Sequence, residues 1–307
     1  MIIIAPFKTT SIKMSMPFNV LNDEIKESIE RRHTHEPLGA HPRKAGHAAL
    51  SVKELFSPAA GKIRLGFVGL SAGAGATTLC FAAAEYLAAL MGKQSKRGVT
   101  MLELDMKTDA PAGMPYDKIG IDRRFAGREF FSFYKLAAEG RPLHSARNID
   151  GGINWALRVP GEPGPLPDPA ALHRLICNAA GSIILCDVSA PGILSGAGPK
   201  NGRDALKAVL SDLDHIICVF DPLPSRLLAS VSAAEVCRAA ASAGVPVTYV
   251  FNKLNAGVNL REATRFTGVR NYLPFPSVAA ESVYAAEYAC RSLATELKDA
   301  LSALFRD

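Results

Sequence analysis

What this chain is short of narrows its class before any motif is read. No apolar run approaches the ~18–20 residues of a membrane-spanning helix. Its six cysteines (Cys80, Cys177, Cys186, Cys218, Cys237 and Cys290) form no C-x-x-C pair, so the usual spacing of a structural zinc site or a redox pair is missing. Several fall in apolar stretches, where a thiol acts as a small hydrophobe, and they are read as packing residues rather than metal or disulfide partners. With a single tryptophan and no interleaving of aromatic and basic residues, a base-stacking surface is unsupported. The charge excess of +6 is small, and Arg31, Arg32, Arg43 and Lys44 supply much of it from one end of the chain, so it carries no strong nucleic-acid signal. The opening Met1-Ile2-Ile3-Ile4-Ala5-Pro6-Phe7 is too short for a signal-peptide core and has no basic flank, and Met14 and Met16 are alternative starts. The protein is read as cytoplasmic.

Two regions differ in texture. Residues 1–60 hold Thr, Ser, Pro, His and Gly without apolar periodicity, and are expected to be a poorly ordered extension with one short capped helix over 22–32. From residue 61 to 307, apolar strands alternate with helical stretches. That alternation predicts an α/β fold: a doubly wound, mostly parallel sheet with helices on both faces. Strands are expected at 63–69, 99–104, 153–159, 183–187, 215–220, 246–252 and near 271–274. Helices are clearest at 77–91, 169–179, 225–243 and 285–305, with Asp168 capping the second and Pro169 in its first turn. Unbroken apolar runs such as 215–220 are what strands buried on both faces require. The connections 106–128 and 188–204 follow strand ends, the edge where open α/β sheets bind ligands.

The absence that matters most lies at 67–78. Phe67-Val68-Gly69-Leu70-Ser71-Ala72-Gly73-Ala74-Gly75-Ala76-Thr77-Thr78 follows an apolar strand and opens an apolar helix, as a phosphate-binding loop does. Gly73 and Gly75 let successive N–H groups close around a phosphate. Thr77 stands where a hydroxyl holds Mg²⁺, with Ala74, Ala76 and Thr78 completing the nucleotide loop. The lysine that reaches the β- and γ-phosphates is missing: its position holds Ala76.

Three further features follow in order. Met101-Leu102-Glu103-Leu104-Asp105 ends one strand, Ile184-Leu185-Cys186-Asp187 ends another, and Val250-Phe251-Asn252-Lys253 a third, beyond Asp221-Pro222-Leu223-Pro224-Ser225. With the loop, this order resembles the ParA/MinD family of P-loop ATPases over roughly residues 62–306, whose loop reads K-G-G-x-G-K-[ST]-[ST]. The resemblance implies ATP or ADP with Mg²⁺ at the loop, Thr77 and Asp187 as Mg²⁺ ligands, Asp105 orienting the attacking water and Asn252 reading the base. Glu103 stands where the family has a first acid.

The departures from the pattern weaken those roles. Ser71 replaces the family's signature lysine and Ala76 the phosphate-loop lysine. Each charge-assisted hydrogen bond is worth on the order of 1.5–3 kcal/mol, so losing both weakens nucleotide binding by roughly two to four decades unless another cation replaces them. Lys62, Arg64, Lys107 and Lys200 are the candidates, and Lys253 is read as solvated. The expectation is a pseudo-ATPase: a localisation, partitioning or assembly scaffold with protein partners, a homodimer among them. An ATP-binding switch is the alternative.

Two weaker readings stand beside these. The loop also fits G-x-x-x-G-x-G, and Tyr249-x-x-x-Lys253 has the spacing of a short-chain dehydrogenase pair that would use NAD(P). That pair belongs on a helix, and here it falls in a strand-like run. The leucines of 285–305 are read as core packing. The polar face there mixes Glu296, Asp299 and Arg306 instead of forming a basic stripe, leaving peripheral membrane contact a minor alternative.

Overall fold

Apolar runs too continuous for a half-exposed strand form the middle of the sheet in the computed structural model, which describes residues 26, 50–52, 55, 61–92, 98–105, 114–139, 148–162, 168–190, 194 and 200–306. The strands are β1 (Leu50–Ser51), β2 (Ile63–Gly69), β3 (Val99–Asp105), β4 (Ile149–Asp150), β5 (Ile153–Ala156), β6 (Ile183–Ser189), β7 (His215–Phe220), β8 (Val247–Leu254), β9 (Leu273–Pro276) and β10 (Phe305–Arg306). The helices are α1 (Ala76–Met91), α2 (Met114–Ile119), α3 (Ile121–Arg124), α4 (Phe133–Ala138), α5 (Pro169–Asn178), α6 (Lys200–Asp212), α7 (Pro224–Ser242), α8 (Leu260–Thr267), α9 (Ala280–Ala289) and α10 (Lys298–Leu304).

Eight strands form one sheet in the order β4-β5-β3-β6-β2-β7-β8-β9, parallel except at the short β4 edge. Every residue of β7 is buried, as an interior parallel strand requires. Side chains on one face of the sheet pack with α1, α9 and α10, and those on the other with α4, α5, α6 and α7. The chain runs outward from β2 to β3 and β5, returns through β6, and then builds the other half. This places the loop after β2 at the crevice where the winding reverses.

Asp168 caps α5 as expected, its Oδ1 accepting from the Ala171 N–H at 2.8 Å, with Pro169 in the first turn. The single helix expected over 285–305 is instead two. Cys290 ends α9 with φ 51, a left-handed turn that stops the helix. The Glu85 carboxylate on α1 then accepts from the Ser292 hydroxyl at 2.8 Å and the Leu293 N–H at 2.9 Å, groups a continuous helix would direct elsewhere. Leu293, Leu297, Leu301, Leu304 and Phe305 are all buried, so their spacing serves the core. Ser132 caps the short α4 through the Lys135 N–H.

Within the N-terminal extension, Lys26 is helical and the rest of the segment expected as a helix lies outside the described residues. Leu50, Val52 and Leu55 are buried in the α1-side core, and β1 pairs parallel with β10.

Candidate functional site

The site begins at the end of the central strand. After Gly69 the chain makes a tight loop, with the Ala74 N–H bonded to the Ser71 carbonyl at 3.1 Å, and enters α1. Gly73 (φ 74) and Gly75 (φ 91) both take the left-handed conformation that side chains resist. At Gly75 there is a second constraint, because a Cβ there would lie 2.3 Å from Asn252 Nδ2. No side chain caps α1 and no acid occupies its first turn. The first N–H groups of the helix are thereby left to an incoming partner, and the helix dipole favours an anion there.

Ala76 is 7% exposed and its methyl faces Gly69, so the position of the missing lysine is packed as core. Ser71 is buried as well, and its Oγ has no hydrogen-bond partner among the described residues. Thr77 and Thr78 are half-buried at the helix start. Asp187 lies in register with Phe67 of β2 and Glu103 of β3, which puts both acids on the α1 face of the sheet. It is 1% exposed and close enough to Cys80 of α1 to help raise that thiol, whose burial is the larger cause. Asp187 therefore sits beneath the first turns of α1. Asp105 pairs with Ser189 in register at the end of β3, two residues beyond Glu103. Glu103 itself is bound up in structure, with Oε2 accepting from the Arg158 N–H at 2.9 Å.

Two residues of β8 close on the loop from its carbonyl side. Asn252 is 5% exposed, and its Nδ2 donates to the Ala74 carbonyl at 2.9 Å. The amide assigned by resemblance to a nucleotide base is thus directed at the loop. Lys253, read from sequence as solvated, is 43% exposed but engaged as well: its ammonium donates to the Gly73 carbonyl and pairs with Asp221 Oδ2 at 2.9 Å. Strand alternation would send Lys253 away from Asn252. A break in the β8–β9 register between Phe251 and Leu254, together with φ 58 at Lys253, re-aims it. No composition or spacing signal announces a left-handed lysine, so sequence alone had no way to find this clamp.

Two of the proposed replacement cations lie at the wrong end of the sheet. Lys62 Nζ donates to the Cys177 and Ala179 carbonyls at 3.0 and 2.6 Å, and burial, then Arg64 beside it, holds that ammonium below the ordinary lysine range. Arg64 Nη1 donates to the Asp212 carbonyl at 3.3 Å. Lys107 lies outside the described residues, as does the side chain of Lys200. A cavity of about 100 Å³ beside Thr77, Thr78 and Phe81 is walled by Lys118 and Glu287. The larger cavity, about 320 Å³ around Arg270, Tyr272 and Arg306, opens at the opposite end of the sheet, where β8 and β9 begin.

The dehydrogenase pair does not assemble. Tyr249 packs near Phe220, at 6.1 Å between ring centroids, and burial raises its hydroxyl well above the ordinary range, while Lys253 is engaged with Gly73 and Asp221.

A central parallel strand, a glycine loop opening a helix and a buried Asp beneath that helix define a ParA/MinD-like P-loop NTPase fold. No family model and no curated protein sequence matches the chain. Among solved structures it is similar to the septum site-determining protein MinD from Pyrococcus horikoshii, solved with Mg-ADP, at 18% identity and TM-score 0.54, over 79% of this chain and 94% of that one. The MinC:MinD complex of Aquifex aeolicus aligns over 79% and 93% at 13% identity and TM-score 0.57. A ParA family ATPase from Chlorobium tepidum aligns over 80% and 98% at 15% identity and TM-score 0.53.

Proposed function

We propose that this protein is a pseudo-ATPase of ParA/MinD-like fold, acting as a localisation, partitioning or assembly scaffold through protein partners, a second copy of itself included. The observation that carries the reading is the clamp on the loop. Gly73 and Ala74 are held by Lys253 and Asn252 through their carbonyls, which fixes the loop from its carbonyl side. Both lysines of the family pattern are replaced, by a buried Ser71 and a buried Ala76.

The residues present fit part of a nucleotide–Mg²⁺ group. The left-handed glycines and uncapped helix start suit a phosphate, and Thr77 with Asp187 suits the metal. What the set lacks is cationic charge against the transferring phosphoryl, the main contribution such proteins make to the chemistry. This supports weak or no binding of ATP or ADP. The uncapped helix start favours a second reading, a slow ATP-dependent switch using Lys118 as its cation.

Isothermal titration with ATP·Mg²⁺, run beside a phosphate-release assay, separates the two. The scaffold reading expects no saturable heat at micromolar nucleotide and no release above buffer. Micromolar affinity with steady turnover would establish the switch. The MinC:MinD complex shows a neighbour of this fold docking a different protein, which makes a protein partner the natural object of affinity capture.

A further inference from the structure

At the opposite end of the sheet, three metal-ligating side chains from two helices converge. His173 and Cys177 are four residues apart on α5, so one face of that helix presents both. Asp212 ends α6, which packs beside α5. His173 Nδ1 lies 2.9 and 2.8 Å from the two Asp212 oxygens, and Cys177 Sγ lies 3.7 Å from each ring nitrogen. One donor atom from each residue falls within 4.8 Å of the others, a convergence unique among the described residues for His, Cys, Asp and Glu.

We propose that His173, Cys177 and Asp212 bind a divalent transition metal, with zinc the best fit. One thiolate, one imidazole and one carboxylate is a donor set that suits a borderline-soft ion and suits Mg²⁺ or Ca²⁺ poorly. Tetrahedral bonds of about 2.0–2.3 Å place ligand atoms roughly 3.3–3.8 Å apart, the range of the sulfur–nitrogen separations here. The sulfur is 3.7 Å from both ring nitrogens and so lies off either nitrogen's lone-pair axis, and the imidazole turns to aim a lone pair at the ion. Its side chain is 58% exposed and has room to do so, while Asp212 is 8% exposed and fixed. The same offset argues against a Cys–His nucleophile, which needs the thiol in line with a ring nitrogen. With three protein ligands, the fourth position belongs to water or to a partner's side chain. The nearby opposing charges are the Lys62 ammonium, on the Cys177 carbonyl, and the Arg64 guanidinium, on the Asp212 carbonyl.

The test uses the full-length protein after chelator treatment, titrated with Zn²⁺ against a chromophoric competitor and, separately, with Co²⁺. One equivalent is expected to bind, with a near-ultraviolet thiolate-to-cobalt band. Cys177→Ser and His173→Ala are expected to remove that band and weaken Zn²⁺ by about 100-fold or more, beyond the ~10–100-fold of outer-shell partners. Neither residue is in the core, so unchanged circular dichroism is expected of both variants. Folded protein that takes up no stoichiometric metal overturns the proposal, and so does uptake that both variants leave intact.

Discussion

The two ends of the parallel sheet handle charge in opposite ways. At the carboxyl ends of the strands, where a phosphate loop needs cations pointing inward, the described lysine nearest the loop grips it from outside, through the Gly73 carbonyl and Asp221. At the amino ends, Lys62 and Arg64 gather on helix and loop carbonyls alongside Asp212 and Asp214. Lys62 stands only seven residues before Gly69 in sequence, yet that strand carries the chain roughly 20 Å. A cation near a motif in sequence is therefore not near it in space when an extended strand intervenes. The loop end has left-handed glycines with a buried Ser71 and Ala76 at the two lysine positions of the ParA/MinD pattern, and the far end has the ligand-rich polar cluster.

The sharpest break in this contrast is Gly75→Ala. Its φ of 91 is left-handed, and the added methyl would displace Asn252 from Ala74. A loss of about 1–3 kcal/mol from backbone strain is expected, increased by the lost hydrogen bond. Gly73→Ala has the same strain in open space and is expected to cost less. Urea midpoints for the two variants give the comparison.

Next in size is Lys253→Met, which strands the Asp221 carboxylate at 2% exposure. The lysine itself is 43% exposed, so about 1–2 kcal/mol is expected, below the 3–5 kcal/mol of breaking a fully buried pair. A double-mutant cycle with Asp221→Asn isolates the pair.

Ala76→Lys restores the missing ammonium. Affinity for ATP·Mg²⁺ is expected to rise by about 10–100-fold, the worth of one charge-assisted hydrogen bond. No rise in a folded variant would show that the carbonyl-side clamp holds the loop's N–H groups out of reach of a phosphate.

The smallest effect is a pH dependence at the α1–α10 junction. Burial raises the Glu85 carboxyl above 4.5, against the opposing pull of Ser292 and Arg124. A raised folded value means its contribution is fully present below the unfolded value near 4.5 and is lost as pH rises through the folded one. Wild type is therefore expected to lose stability relative to Glu85→Gln as pH climbs from 4 toward 7, read from urea midpoints across that window.

Much of the scaffold was legible because buried parallel strands leave continuous apolar runs, and β2, β6 and β7 fall where those runs are. An acid late in an apolar strand is conspicuous in the same way, and Asp187 lies two residues before the end of β6. The break in the last helix was not, because it depends on Glu85, some two hundred residues away, capping the chain at Ser292 and Leu293. Lys253 escaped because a bulge and a left-handed φ override alternation without leaving a residue signature. The His173–Cys177–Asp212 convergence escaped because its third member comes from a different helix, so C-x-x-C logic says nothing about it.

Hydrogen exchange at residues 73–78, with and without saturating ATP·Mg²⁺, tests the central claim most directly. A loop held by Asn252 and Lys253 rather than by nucleotide predicts the same exchange in both samples. Strong nucleotide-dependent protection of those amides would contradict it.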